Sequence, residues 1–273
     1  MQYPSHHSTL GKVYLVGAGP GAADLITVRG ARLLEKADIV FHDALVEPEM
    51  LTLCPQALKV AVGKRCGKLS SAQQFINKRL VNAAHKYALV VRLKGGDPML
   101  FGRADEELQA LKAAGIKFEV VPGITAALAG AAAIEQSLTL RGISRSVAFI
   151  TLAQAEHNTQ GQLQPIQNPS ADTLVYYMGR KDAVHIAKQL ISSSPNQHAS
   201  TPVHILEAVS TARERHWSST LGHLANGDAN DWFDSASPAL IMVGEALRDQ
   251  SLDAKVDNSL QDRIILPNSW RSA

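Results

Sequence analysis

VVRLKGGDPMLFGR, residues 90–103, decides how this chain is read. Val90 to Leu93 has the β-branched, apolar character of a buried strand, and the glycines after it stop that strand. Gly95 and Gly96 let the backbone take φ > 0 and leave no side chain between the loop and a ligand. Asp97 stands at the strand's carboxyl end, where open α/β sheets place their ligands, and Pro98 fixes the exit from the turn. The pattern predicts a helix from Leu100, with Arg103 and Glu106 one turn apart on the face nearest the loop. A plain βα turn with a surface ion pair would use the same residues, so the decision rests on the neighbours.

Upstream, Lys12 to Gly17 (KVYLVG) reads as a first strand that empties into Gly17-Ala18-Gly19-Pro20-Gly21. A helix is expected from about Asp24 to Lys36, with Asp24 as N-cap and Leu25, Val28, Leu33 and Leu34 as its apolar positions. Asp38 to Phe41 is a second strand ending at His42-Asp43. A short strand near Lys59 to Val62 runs into Gly63-Lys64-Arg65, and a helix around Ser71 to His85 returns to the Val90 strand. Downstream come a helix to Ala114 and a strand from Lys117 to Val121. Strands alternating with helices at this spacing predict a mainly parallel sheet with helices on both faces.

Pro122-Gly123 breaks the pattern and is the expected domain boundary. It gives an N-terminal α/β domain over 11–122 and a C-terminal one over 123–250, with tails at 1–10 and 251–273. The second half reads as an alanine-rich helix from Thr125 to about Glu135, a strand near Val147 to Thr151 and an exposed polar loop from Gln154 to Ala171. A strand from Asp172 to Met178, a helix from Lys181 to Ile191 and strands at Pro202–Leu206, Trp217–Leu221 and Ala239–Val243 complete it.

At 273 residues the chain suits two domains of ordinary size. A 45% apolar and 19% charged composition is that of a globular protein. A net charge of +2, both signs interspersed, leaves no basic stripe for nucleic acid. The small-apolar run Ile124 to Ile134 is too short to span a bilayer, and MQYPSHHSTL has no apolar core to direct export; no nucleic-acid or membrane partner and a cytoplasmic location are expected. Cys54 and Cys66 form no metal spacing or redox pair, and no histidine pair has metal spacing. Trp217, Trp232 and Trp270 read as packing anchors.

The chemistry concentrates at the glycine loops. GxGPGA after a strand approximates a dinucleotide fingerprint, and Asp43 could then bind a ribose. Against this, Pro20 removes a backbone N–H from the turn that should cradle a pyrophosphate. The second loop, Gly95-Gly96-Asp97, is also more than a nicotinamide site needs. A nucleoside cofactor without phosphates, NAD, or purely structural turns all remain open on these residues. Asp43 equally suits a capping acid, Lys64 a solvated side chain, and Met178 core filling.

In VGAGPG (16–21), FHDALV (41–46), VGKR (62–65), VVRLKGGDPMLFGR (90–103), EE (106–107), VPGITAA (121–127), LVYYMG (174–179) and SPALIMVG (237–244) the sequence resembles the tetrapyrrole methylase family. The motifs come in that family's order over roughly Gly11 to Arg248, and the long central one is the most specific. The resemblance implies a dimeric, two-domain α/β enzyme with S-adenosylmethionine in the cleft between domains. Cofactor contacts would fall to Pro20, Gly95, Gly96, Asp97, Leu100, Thr125, Ala126 and Met178. A family glycine aligns near Val209, where only a backbone contact is compatible.

The implied reaction moves a methyl group from sulfonium to a pyrrole carbon of uroporphyrinogen III, twice, giving precorrin-2. Asp43 would then be the base that takes the ring proton and Lys64 the acid or charge partner. Arg103 and Arg141 would anchor substrate carboxylates, with Glu106 holding Arg103. The chain departs from the family at Leu138-Thr139-Leu140-Arg141 in place of LTHR and at Thr151-Leu152-Ala153 in place of TGH. The stretch after Gly67 also lacks the family's histidine. These departures fall on the acceptor side, so a later corrin intermediate is the rival acceptor; a dinucleotide-dependent oxidoreductase is the rival of a different class.

Overall fold

The computed structural model describes residues 10–62, 69–152 and 170–249, side chains of 69–72 excepted. The tails, Gly63-Lys64-Arg65, Cys66 and most of the Gln154–Ala171 loop lie outside the described residues. Residues 12–121 build one five-stranded sheet and residues 147–243 a second.

The first sheet contains β1 (Lys12–Gly17), β2 (Ile39–His42), β3 (Leu58–Ala61), β4 (Leu89–Lys94) and β5 (Phe118–Val121), in the order β3-β2-β4-β1-β5 and wholly parallel. Helix α1 (Val28–Glu35) covers one face, where Leu34 packs with Val16, Val40, Val91 and Leu93. Helices α2 (Leu69–Ala84) and α3 (Ala104–Ala113) cover the other, where Leu80 and Leu111 pack with Val13, Leu15, Phe41 and Val90. The register pairs Gly17 with Lys94, His42 with Leu93 and Val16 with Val121. All the loops singled out above therefore leave the same edge. β1 and β4 are neighbours whose connections depart in opposite directions, to β2 and to β5, which opens a crevice at their carboxyl ends.

The second sheet joins β6 (Val147–Thr151), β7 (Thr173–Tyr177), β8 (Pro202–Glu207), β9 (Arg215–Thr220) and β10 (Ala239–Val243) in the order β6-β7-β10-β8-β9. Only β6 and β7 are parallel; β10 runs antiparallel to β7 and β8, and β9 to β8. Helix α4 (Ala126–Ala133) packs on one face, with Ala127 against Val175, Leu206 and Met242. Helices α5 (Ala183–Ser193) and α6 (Leu221–Asn226) cover the other through Ile186, Leu190, Leu221 and Leu224.

Two expectations about helix starts are corrected. Asp24 caps nothing: residues Ala23–Leu25 form a single 3-10 turn, and α1 starts at Val28 because the extended Thr27 accepts a bond from Gly30 N at 3.1 Å. Helix α3 starts at Ala104, not Leu100. The intervening residues cannot be helical, since Phe101 (φ 52°) and Arg103 (φ 53°) are left-handed.

Candidate active site

Three loops meet at the crevice, and they meet backbone to backbone. Gly96 N donates to Gly19 O at 2.7 Å and Gly19 N to Gly96 O at 3.2 Å, while Ala18 N reaches Lys94 O at 2.7 Å. A Cβ on Gly17 would lie 2.6 Å from Gly123 Cα and 2.7 Å from Gly96 O, so any side chain there would force the loops apart. The two glycines expected to clear ligand space differ in their surroundings, and Gly96 is the one with open space before it. It has φ +65°, and a Cβ built there would meet nothing nearer than Thr125 Cα at 3.9 Å. Gly95 instead makes room for the turn after β2, because a Cβ there would stand 2.9 Å from Leu45 Cβ. Asp97 staples the crevice: Oδ1 accepts from Met99 N at 2.7 Å and Oδ2 from Gly123 N at 2.9 Å. Each carboxylate oxygen keeps a lone pair for a further donor.

The second sheet closes over this edge. Ala22 N donates to Ser210 Oγ at 3.1 Å, and a Cβ on Gly21 would lie 2.8 Å from Val209 O. The loop after β8 therefore presents backbone toward Pro20-Gly21. Val209 itself is buried, and Ala208 (φ 48°) and Ser210 (φ 60°) on either side of it are both left-handed, a conformation such residues adopt only under constraint. On the other flank Tyr177 OH shares a 2.5 Å bond with Thr125 Oγ1 and accepts from Ala127 N at 3.1 Å. Its ring lies edge-on to Phe101 at 5.2 Å and to Phe149 at 6.1 Å. Burial raises the Tyr177 hydroxyl pKa above its ordinary value. Met178 follows, left-handed and exposed. Leu100, Thr125 and Ala126 are half-buried around the same opening.

Asp43 stands at the end of β2. Its Oδ1 accepts from Leu45 N at 3.1 Å, and its Oδ2 is 3.9 Å from Arg92 Nη2. Arg103 is gripped bidentately by Glu106, Nε at 2.6 Å and Nη2 at 2.9 Å, which fixes an exposed guanidinium beside the Pro98–Gly102 turn. Arg141 stands elsewhere. Its turn closes through the Leu140–Ser144 bridge, Ser144 Oγ shares a 2.9 Å bond with Thr173 Oγ1, and Arg145 N donates to Asp172 at 2.8 Å. Those anchors lie at the amino ends of β6 and β7, whereas Tyr177 and Met178 lie at the carboxyl end of β7. Lys64 falls outside the described residues. Among the described residues, no group of three or more His, Cys, Asp or Glu could hold a metal ion.

Sequence reading passed over four residues that the structure brings here. Tyr177 falls within the strand read over Asp172–Met178. Arg92 and Lys94 alternate on one face of β4, a visible signal in VVRLK, and Glu107 is the second acid of the Glu-Glu pair. All three are buried, with Lys94 Nζ 3.3 Å from both Glu107 oxygens. Burial and then the charge of Arg92 hold the Lys94 pKa below its ordinary value, against the pull of Glu107.

Comparison with known proteins follows the same lines. A family model described as Tetrapyrrole (Corrin/Porphyrin) Methylases matches residues 12–225. A uroporphyrinogen-III C-methyltransferase of Pseudomonas aeruginosa is 43% identical over 239 residues, 88% of this chain and 95% of the relative. A siroheme synthase of a Psychrobacter species is 42% identical over 244 residues, 88% of this chain but 48% of that protein; the chain spans about half the length of such relatives. The crystal structure of the Thermus thermophilus uroporphyrin-III C-methyltransferase complexed with S-adenosylhomocysteine superposes with a TM-score of 0.73 at 36% identity, covering 87% of this chain and 94% of that one.

Proposed function

The chain belongs to the tetrapyrrole (corrin/porphyrin) methylases, and from that premise we propose that it methylates uroporphyrinogen III on two rings, giving precorrin-2 by way of precorrin-1, with S-adenosylmethionine as donor. The observation that carries this reading is the open space above Gly96 where the loops after β1, β4 and β5 converge. The nearest atom to a Cβ built there would be Thr125 Cα at 3.9 Å, and the methionine at Met178, next to Tyr177, is exposed. Pro20 offers no N–H, so the loop suits a nucleoside with an amino-acid tail better than a pyrophosphate. The 43% identity along almost the whole length of a uroporphyrinogen-III methyltransferase supports the acceptor.

In this reading Pro20, Gly95, Gly96, Asp97, Leu100, Thr125, Ala126, Met178 and the Val209 backbone hold the cofactor, with Asp97 and Gly95 contributing through the loop they shape. When bound, S-adenosylmethionine supplies an electrophilic methyl group. The chain's part is alignment, which can account for much of the acceleration of such a transfer. Arg103, oriented by Glu106, is the cation that a substrate carboxylate meets. Asp43 accepts the ring proton at a carboxylate oxygen, and Lys64 serves as acid or charge partner. Arg141 engages a different carboxylate of the macrocycle, remote from the one that Arg103 holds. A cytoplasmic homodimer organised as two α/β domains, 11–122 and 123–250, completes the proposal. No helix among the described residues is long and apolar enough to cross a membrane.

Titration calorimetry tests the cofactor half of this reading. S-adenosylhomocysteine should bind in a one-to-one ratio per chain and NAD should not compete with it. Binding of NAD in preference to S-adenosylhomocysteine would return the GxGPG loop to the oxidoreductase reading.

A further inference from the structure

Directly beneath the proposed site lies a charge cluster that none of these roles uses. Arg92, Lys94 and Glu107 are 3%, 4% and 0% exposed. Glu107 Oε1 accepts from Arg92 Nε at 3.0 Å and from Gln73 Nε2 at 3.2 Å, in addition to its bonds from Lys94. Arg92 Nη1 donates to Leu93 O at 3.0 Å and Phe41 O at 3.4 Å. The guanidinium is thus held in one orientation from three sides. Its remaining Nη2 points at Asp43, 3.9 Å from Oδ2, while the other Asp43 oxygen is tied to Leu45 N.

Two considerations make this more than packing. Replacing a buried ionic cluster by apolar residues of similar volume is often neutral or stabilising, so a fold alone gives little reason to keep one. The cluster is also unbalanced: two buried cations face one buried carboxylate, and the further carboxylate within reach of Arg92 is that of Asp43. A fixed guanidinium beside a half-exposed carboxylate restricts where that carboxylate points. A proton acceptor must be held close to its productive geometry to work efficiently.

We infer that Arg92, clamped by Glu107, is a positioning residue for Asp43 in the methyl-transfer reaction. The inference rests on the proposed role of Asp43 as proton acceptor. It adds a residue that acts through Asp43 and does not touch the substrate.

A double-mutant cycle tests it. Arg92→Lys keeps a cation against Glu107 but loses the fork that spans from Glu107 to Asp43. In otherwise wild-type protein it should lower kcat roughly tenfold to a hundredfold, leaving KM for uroporphyrinogen III and affinity for S-adenosylhomocysteine unchanged. In an Asp43→Asn background the same substitution should cost nothing further, because the group it positions is already disabled. Glu107→Asp retracts the clamp by one methylene while keeping its charge. It should show the same dependence on Asp43, and it carries the test if Arg92→Lys does not fold. Equal losses with and without Asp43 would make the cluster purely structural and overturn the inference. An Asp43→Asn enzyme as active as wild type would overturn it too, by removing the base. A wild-type protein inert toward uroporphyrinogen III would instead overturn the functional reading on which both rest.

Discussion

Gly96 is the residue on which the proposed cofactor site turns, and its surroundings differ from those of the glycine beside it. Gly95 yields space to Leu45, whereas Gly96 has φ +65° and faces the opening. Gly96→Val would strain the backbone and put a branched side chain into that opening. Calorimetry on the folded variant should show S-adenosylhomocysteine binding weakened at least about tenfold, and unchanged affinity would remove this loop from the site. The pair of glycines was legible in the sequence; which one faces a ligand was not, because that depends on where the Asp43–Leu45 turn packs. Glu107 was hidden for a related reason. It shares a buried stripe with Ala104 and Leu111, positions where the helical period leads one to expect apolar residues. Glu106, exposed and three residues from Arg103, is the acid that the sequence pattern marks.

At the scale of elements, the strands of the first sheet were read to within about two residues, since alternating βα units announce a parallel sheet. The directions of β9 and β10 were not: polar, largely exposed RHWSST in β9 and buried ALIMV in β10 each read the same whichever way the strand runs. The start of α3 was misplaced because left-handed conformations at Phe101 and Arg103 leave no trace in residue type. Tyr177 ties these elements together: its hydroxyl binds the start of α4 and its ring meets the Phe101 turn. Tyr177→Phe keeps the ring and removes both hydrogen bonds, leaving Ala127 N without that acceptor. Denaturant unfolding should show a loss of about 1–3 kcal/mol; a loss indistinguishable from zero would mean solvent satisfies these groups equally well.

A second element-scale prediction concerns pH. On the β8–β9 pair, His204 Nδ1 lies 2.9 Å from His216 Nε2, and His204 Nε2 lies 2.9 Å from Leu247 O. That carbonyl needs a donor, so His204 carries its proton on Nε2 and accepts from His216. Burial lowers both imidazole pKa values, and for His216 the neighbouring ring adds to the effect; the Leu247 carbonyl and then Asp249 oppose it at His204, and Glu214 at His216. Because the folded state binds these protons less readily than the unfolded chain, the stability they contribute is present above the ordinary histidine pKa. It is lost as pH falls below that value. Melting temperature should therefore fall between about pH 7.5 and about pH 5.5, and fall less in His204→Gln. Equal slopes in the two proteins would exclude the pair as the cause.

The molecule as a whole is two unlike sheets joined at one crevice, parallel on one side and mixed on the other. The join is partly polar, through Ser210 and Ala22 and through Arg213 and Glu47, and partly aromatic at Phe101 and Tyr177. In the proposed reaction the glycine loops take the nucleoside and the Asp43–Arg103 side takes the macrocycle. Motif order along the chain made the family and its two-sheet α/β fold readable, whereas the inter-sheet contacts through Val209 and Tyr177 required the folded backbone. The most direct measurement is a single-turnover incubation of the wild-type protein with uroporphyrinogen III and methyl-labelled S-adenosylmethionine, followed by mass spectrometry of the tetrapyrrole. The predicted result is a singly methylated species that rises and decays into a product carrying two labelled methyl groups. Unlabelled uroporphyrinogen III, recovered from a protein that instead labels a later corrin intermediate, would contradict it.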